Sequence, residues 1–285
     1  MRLCLRCYAD FAGSGWRCPQ CGFDPPRIGG FPAFAPELAQ GASGYDPAHF
    51  AELARLEAGN FWFRARNRLL AWVLQRYFPG ARSFLEIGCG TGFVLAGIAT
   101  AFPALKLSAS EAAVTGLAHA AARVPGASLM QMDARRIPFT SEFDVIGAFD
   151  VLEHIDDDQA VLAELFRVVR PGGGIIVSVP QHPWLWSGPD VAAHHRRRYR
   201  VGELDRKVAA AGFAIMRSTS FVGLLLPMMI LSRLRPSARS PQPVELAPSR
   251  WLNTIFETIL DWEVAAISAG ISLPFGGSRI VVAGK

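Results

Sequence analysis

The chain is poor in lysine: of 29 basic residues only Lys106, Lys207 and Lys285 are lysine, and the rest are arginine. Against 24 acidic residues this leaves a net charge of +5 over 285 residues, too modest to imply a nucleic-acid partner by itself. Long hydrophobic runs are also missing. The longest, "FVGLLLPMMIL" from Phe221 to Leu231, is 11 residues, against the roughly 20 that a bilayer-crossing helix needs. No apolar leader separates Met1 from Cys4, so the expectation is a cytoplasmic protein and not a secreted, disulfide-built one. After residue 21 cysteine nearly vanishes, and Cys89 alone remains. What is abundant is apolar: 51% hydrophobic against 19% charged residues predicts an ordered chain with one large core and room for a small module.

The other four cysteines form two pairs, "CLRC" (Cys4, Cys7) and "CPQC" (Cys18, Cys21). Two C-x-x-C knuckles set two sulfurs on each of two tight turns, the donor set of a tetrahedral zinc site. About twenty residues cannot close a hydrophobic core, so the metal would supply the folding energy. Redox-active pairs are the rival use of such cysteines. We therefore expect a zinc ribbon over residues 1–24, followed by a Pro-, Gly- and Ala-rich linker over 25–44 ("DPPRIGGFPAFAPELAQGASG" with Asp24).

From residue 45 a third unit begins. Phe50, Leu53 and Leu56, then "NFWFRARNRLLAWVLQRYF", carry a helical apolar pattern that Pro79-Gly80 ends. Strand and helix patterns then alternate: "RSFLEIG", "LKLSAS", "ASLMQMDA", "EFDVIGAFD" and "GGGIIVSVP", with helices between. Repeated βα units predict an open, mostly parallel sheet wound on both faces, an α/β architecture. "QHPWLWSGPDVAAHHRRRYR" interrupts the pattern, and two further strands, "FAIMRSTSF" and "SRIVVAG", bracket an apolar insert at about 219–273.

The turn "LEIGCGTGF" holds Gly88, Gly90 and Gly92 at alternate positions between a strand and a helix start. Bare backbone there lets a ligand approach closely. The third glycine of a dinucleotide turn is replaced by Phe93, and Glu86 stands at the strand's carboxyl end. A carboxylate repels pyrophosphate but suits an ammonium group, which points away from nicotinamide dinucleotides and toward S-adenosylmethionine.

"LEIGCGTG" resembles the first motif of class I S-adenosylmethionine-dependent methyltransferases of the ubiquinone/menaquinone-biosynthesis type, and the similarity extends from about residue 50 to 220. The resemblance implies a Rossmann-like, seven-stranded sheet and methyl transfer to a small-molecule or lipid-linked acceptor. It implies that Glu86, Gly88, Gly90 and Gly92 hold the amino-acid end of the cofactor, and that Glu111 in "LSASE" binds the ribose hydroxyls. Asp133 and Ala134 in "MQMDA" would then meet the adenine. Asp150, at the carboxyl end of "FDVIGAFD", lies where ligands bind in such sheets, whereas Asp144 at the other end braces a turn.

Methyl transfer to oxygen or nitrogen asks the protein for positioning and for proton removal. His154 in "VLEHI", and His195 and Tyr199 in "AHHRRRYR", are the candidates. Arg196 and Arg197 are candidate clamps for an acidic group on the acceptor, with a solvated loop, or contact with a membrane surface or RNA phosphates, as the alternatives. Phe61, Trp62 and Phe63 cannot all face one core from a single helix, so Trp62 is a candidate pocket wall, and Arg64 or Arg66 could reach a ligand carboxylate. In the insert, Trp251, Ile255, Ile259 and Trp262 share one helical stripe, with Glu257 and Asp261 on the other side. The insert could pack on itself, form a dimer contact, or lie at a bilayer interface through residues 219–250, which would suit a lipid-like acceptor. Two other functions fit parts of the chain. One is an rRNA or tRNA methyltransferase using the ribbon and the arginines, against which stand the modest charge and the lack of a base-stacking motif. The other is a non-catalytic, cofactor-binding adaptor.

Overall fold

In the computed structural model, residues 1–13, 15–40, 47–234 and 248–285 are described. A seven-stranded sheet organises the chain: β1 Ser83–Ile87, β2 Lys106–Glu111, β3 Ser128–Gln131, β4 Phe143–Phe149, β5 Val169–Pro180, β6 Ala214–Phe221 and β7 Ser278–Gly284. Their order is β6-β7-β5-β4-β1-β2-β3. Strands β1 to β5 pair in parallel, and β7 runs antiparallel between β5 and β6. Strand order therefore reverses between β1 and β4, and the crevice outside their carboxyl ends is where this topology leaves room for a ligand. All five residues of β1 are buried, as a central parallel strand covered on both faces requires.

Helices cover both faces: α1 Pro47–Leu56, α2 Phe61–Tyr77, α3 Phe93–Ala101, α4 Val114–Arg123, α5 Asp158–Val168 and α6 Glu203–Ala210, with α7 Leu226–Leu234 and α8 Arg250–Ser268 in the insert. One apolar cluster joins Leu69, Leu70, Val73 and Leu74 of α2 to Phe84, Val94 and Leu95. The other joins Leu85, Ile87, Ile146 and Val177 to Val161, Leu162 and Leu165 of α5. Alternate residues of β1 thus face opposite cores, the period-two signature of a strand.

Three details of the ends position the site. The N-terminal ribbon is a two-residue strand pair (Arg2–Leu3 with Asp10–Phe11) docked on the segment before β4: Leu3 donates its amide to the Pro138 carbonyl, and Arg136 reaches the Leu5 carbonyl. Trp16 packs edge-on against Phe34 and Phe139. The stretch expected as a linker does not hang free over its described residues. It runs along the outer sheet edge, with Ala33 bridged to Gln131 and the buried Gln131 amide exchanging hydrogen bonds with the Ala35 backbone at 2.7 and 3.1 Å. Residues 41–44 of that stretch lie outside the described residues.

The insert helix α8 packs inward through Phe256, Ile259, Leu260 and Ile267, so the stripe is split, with Ile259 turned to the core. At the edge of that face Glu257 pairs with Arg64 and Arg68, and the exposed Asp261 with Arg68, all from α2. Trp251 and Trp262 are 65% and 66% exposed, with Ile255 beside them. Residues 235–247 of the insert lie outside the described residues. Among the described residues, no helix is long and apolar enough to cross a membrane.

Candidate functional site

The glycine turn is built as its sequence suggests. Gly88, Gly90 and Gly92 all have positive φ (64°, 52° and 76°), a region that glycine enters at little cost. A Cβ at Gly88 would meet the Val151 side chain at 2.5 Å and one at Gly92 the Ala120 backbone at 2.7 Å, so those two are fixed by packing. At Gly90 nothing lies within 4 Å, which leaves open space above the turn. Gly92 then caps α3, whose N-terminus faces this space.

Glu86 is 2% exposed, and its Oε2 has no hydrogen-bond partner. Burial pushes its carboxyl up to about 8, with Arg66 pulling the other way. A buried, half-unsatisfied carboxylate at the mouth of an open cradle is a polar group awaiting a donor, and an α-ammonium group fits it. Glu111, at the end of β2, accepts from the Gly90 amide at 3.0 Å and from the Ala112 amide at 2.8 Å. Burial raises it as well, against those amides. Its carboxylate is thereby locked against the turn where ribose hydroxyls would lie. Asp133 follows β3. Burial would raise its carboxyl, but the Arg135 guanidinium, bound at 2.6 Å, holds it below the usual range. Ala134 beside it is buried. Glu86, the glycines, Glu111 and Asp133 with Ala134 therefore line consecutive strand ends β1, β2 and β3, the geometry that the residue types fit for a sulfonium amino acid joined to adenosine. Cys89 is buried, and burial pushes its thiol well up, so it is a packing residue.

On the other side of the switch point, Asp150 adopts φ 57° and accepts from Ser178 Oγ at 3.2 Å and from Arg66. Arg66 is buried, and its guanidinium stacks on Trp62 at 4.2 Å and lies 5.5 Å from the Phe63 ring. The aromatic triplet is accommodated by covering α2 on two sides: Phe61 packs on Phe256 of α8, and Phe63 on Phe93 of α3. Arg64 belongs elsewhere. It pairs with Glu257 and donates to the Ala58 carbonyl at 2.9 Å, a brace between helices rather than a ligand contact. Sequence patterns gave no warning of a second brace, in which Glu57 accepts from Thr91 Oγ1 and Arg123 at 2.6 Å, and Arg123 also holds the Ala54 carbonyl at 2.9 Å. It ties the segment after α1 to the glycine turn.

The three proton-transfer candidates separate. His154 and His195 come together, ring centroids 4.9 Å apart and edge to face. Burial first, then the neighbouring His195, lower His154 to about 4, so it is a neutral imidazole at physiological pH. His195 Nδ1 lies 3.0 Å from Asp190, which Arg198 holds at 2.6 Å. Tyr199 is a correction: it is fully buried, and its hydroxyl donates to Asp158 at 2.6 Å, beside Lys207 on the same carboxylate. Burial and that bond raise its hydroxyl far above the ordinary range, which removes it as a proton carrier. The arginine stretch is largely spent as well. Arg197 binds the Asp156 carbonyl at 2.8 Å and Asp158 at 3.4 Å, while Arg196 is exposed with Asp156 at 3.6 Å. A clamp made from both is not preformed.

Glu153, which sequence reasoning passed over, lies buried between these groups with neither carboxylate oxygen hydrogen-bonded, and burial and Asp150 push its carboxyl well up. One donor atom each from Glu153, His154 and His195 fall within 4.8 Å of one another. At the N-terminus the four cysteine sulfurs also converge: Cys4 and Cys21 at 3.6 Å, Cys7 and Cys18 at 3.7 Å. A tetrahedron with Zn–S bonds of about 2.3 Å has edges of about 3.8 Å, whereas a disulfide needs about 2.05 Å, so the set fits zinc.

Residues 85–177 match the family profile described as "Methyltransferase domain". Among curated proteins, the chain is 34% identical over 160 residues to a probable S-adenosylmethionine-dependent methyltransferase of Mycolicibacterium smegmatis, covering 55% of this chain and 60% of that protein. It is 29% identical over 140 residues to a ubiquinone biosynthesis O-methyltransferase of Thiobacillus denitrificans, covering 46% and 60%. The chain thus spans well under two thirds of the length of these relatives. Among solved structures, it resembles a Thermotoga maritima S-adenosylmethionine-dependent methyltransferase, with a TM-score of 0.54 at 17% identity over 84% of this chain and 97% of that one. It also resembles phosphoethanolamine N-methyltransferase 2 of Haemonchus contortus in complex with S-adenosyl-L-methionine, with a TM-score of 0.53 at 18% identity over 77% and 52%. The likeness to these structures is one of fold, and the fold is the Rossmann-like one expected.

Proposed function

Residues 85–177 being a methyltransferase-domain segment on a Rossmann-like sheet, we propose that the protein transfers a methyl group from S-adenosylmethionine to a small-molecule or lipid-linked acceptor. The observation that carries the proposal is Glu86, a buried carboxylate with an unpaired oxygen at an open glycine cradle. Glu86 would hold the amino group of the cofactor, Glu111 its ribose hydroxyls, and Asp133 with Ala134 the adenine. The bound sulfonium supplies the activated methyl group. What the chain itself does is exclude water, with α2 and the brace of Glu57, Thr91 and Arg123 over the turn, and keep the acceptor in line. Arg66 and Asp150 fix the floor between the cofactor side and the acceptor side. The acceptor's proton would leave toward the paired imidazoles of His154 and His195, whose rings lie 4.9 Å apart.

Zinc in the ribbon is proposed on the spacing of the four sulfurs, with a structural role, since the ribbon is docked on the segment that follows Asp133. An apolar acceptor is supported by the outward stripe of Trp251, Ile255 and Trp262 and by exposed Leu224, Met228 and Leu231 on and before α7. Such surfaces suit contact with a bilayer interface. Incubation with isotopically labelled methyl donor and cell extract, split into aqueous and lipid fractions, tests the function. Label in an organic-soluble or small polar product supports it; label recovered only in RNA, or in nothing, overturns it.

A further inference from the structure

We propose that the N-terminal ribbon is a positioning part of the cofactor site: through its metal it fixes the turn that carries Asp133, so that zinc affinity and cofactor affinity are coupled. The placing of the nucleoside at Glu111 and Asp133 rests on the methyl-transfer reading. The ribbon's hold on the turn stands on its own geometry.

Arg136 closes the turn after β3 with its amide on the Asp133 carbonyl at 3.0 Å, and the Asp133 carboxylate accepts from the Arg135 amide at 2.9 Å. The guanidinium of the same Arg136 reaches the Leu5 carbonyl at 3.2 Å, inside the knuckle between Cys4 and Cys7. One residue therefore joins the adenine turn to a metal-binding loop. The segment that follows pairs with the ribbon as a strand would. Arg2 bridges Phe139 in antiparallel register, the Leu3 amide donates to the Pro138 carbonyl at 3.1 Å, and the Thr140 amide donates to the Met1 carbonyl at 2.9 Å. Thr140 Oγ1 adds a bond to Asp10 at 2.7 Å. Trp16 lies 5.4 Å from the Phe139 ring, with the Arg2 guanidinium over it at 4.6 Å.

A second brace backs Glu111. The Phe34 amide donates to the Gln131 carbonyl at 2.8 Å, and the Gln131 side chain donates to the Ala112 carbonyl at 2.9 Å, next to Glu111. The Val114 amide, which opens α4, donates to the Ala39 carbonyl at 3.0 Å. Both carboxylates assigned to the nucleoside are thus backed by residues 1–40. Thr91 in the glycine turn is held instead by Glu57 and Arg123.

The metal matters because the ribbon is small. Its buried cluster is Cys4, Phe11 and Cys18, and two of these three are candidate zinc ligands, too little apolar surface to hold a fold without the ion. Without it, the knuckle around Leu5 and the pairing at Pro138 to Thr140 loosen. Glu164 and Arg167 of α5 still hold the Ile137 amide and carbonyl, at 2.7 Å each. The turn is then tethered at one end only, and the cofactor must order Asp133 as it binds. An effect of about tenfold is expected, within the range of coupled sites.

The full chain loaded with Zn²⁺ is compared with the same protein stripped by a chelator and then refilled. Calorimetry uses S-adenosylhomocysteine and 5′-methylthioadenosine, which keeps the nucleoside and lacks the amino-acid end. Stripping should weaken both by about tenfold, and Zn²⁺ should restore both. Coupling of binding is reciprocal, so saturating S-adenosylhomocysteine should tighten zinc by the same factor, read by competition with a chromophoric chelator. Arg136→Ala leaves the four cysteines in place. It should keep its zinc, weaken both ligands by about threefold and shrink the effect of stripping. Unchanged hydrogen exchange across β4 and β5 shows that the core stays folded in every form. A chain that takes up no zinc, equal ligand affinities with and without it, a loss that Zn²⁺ does not restore, or a zinc affinity indifferent to S-adenosylhomocysteine overturns the coupling. Zinc-loaded protein that binds neither ligand overturns the methyl-transfer reading instead. The ribbon's hold on the turn is then decided by hydrogen exchange over residues 133–140, which should rise on stripping, and no rise overturns it.

Discussion

Replacing Glu86 by glutamine separates the two things its carboxyl does. In the ligand-free protein, burial holds Glu86 near 8, so at pH 7 about nine in ten molecules keep that proton, while the unfolded chain lost it near 4.5. The folded pKa is raised for an acid, so the penalty is absent below about pH 4.5, grows as pH rises, and levels off above about 8. At pH 7 it amounts to about 3 kcal/mol, taken at roughly 1.4 kcal/mol per pH unit. A neutral amide buries a similar head without that penalty. Glu86→Gln should therefore stabilise the ligand-free protein by up to about 3 kcal/mol at pH 7 and hardly at all at pH 4. Cofactor binding should move the other way. An ammonium group pairs with the carboxylate, not the acid, so binding at pH 7 expels most of that proton. Allowing for the small fraction of cofactor amine that arrives neutral, the net release is roughly 0.8 proton per cofactor. Calorimetry in buffers of different ionisation enthalpy measures this number directly. Glu86→Gln should lose the release and bind at least tenfold more weakly. A wild-type protein that binds the cofactor with no proton release, or a glutamine variant that releases as many, would refute the reasoning.

Tyr199→Phe removes the bond to Asp158 and should cost about 1 to 2 kcal/mol in denaturant unfolding, with cofactor affinity unchanged. A change in affinity without one in stability would return that residue to the site. Gly92→Ala places a methyl 2.8 Å from the Ala120 methyl carbon, and 2.7 Å from its Cα, at a positive φ. It should cost about 1 to 3 kcal/mol and weaken cofactor binding together, read by thermal unfolding and calorimetry. Elemental mass spectrometry should find one tightly bound zinc per chain, and Cys18→Ser should abolish it and raise hydrogen exchange over residues 136–140, where the ribbon docks. Unchanged exchange there would mean that the metal does not hold the ribbon in place.

How much of this was legible beforehand follows the range of the interactions. The placement of Glu86, the three glycines, Glu111 and Asp133 at the carboxyl ends of strands was readable because strand, turn and helix start are local patterns. Ribbon geometry was readable for the same reason, since two short knuckles dictate where four sulfurs go. Long-range partners were not. Arg66 finds Asp150 across 84 residues, Arg123 finds Glu57 across 66, and His195 meets Glu153 only because a loop folds back on β4. Tyr199 read as a proton-transfer candidate among arginines, yet Asp158 and Lys207 draw it into the core. In α8 the apolar stripe was visible, but the fold splits it: Ile259 packs on the core while Trp251, Ile255 and Trp262 face outward. A periodic pattern names a face and is silent on whether that face meets the protein or its surroundings.

A crystal structure with S-adenosylhomocysteine tests the central claim most directly. The amino group should lie within hydrogen-bond distance of Glu86, the ribose hydroxyls on Glu111, and the adenine beside Asp133 and Ala134. An empty crevice, or a nucleotide whose phosphates occupy the glycine turn, would contradict it.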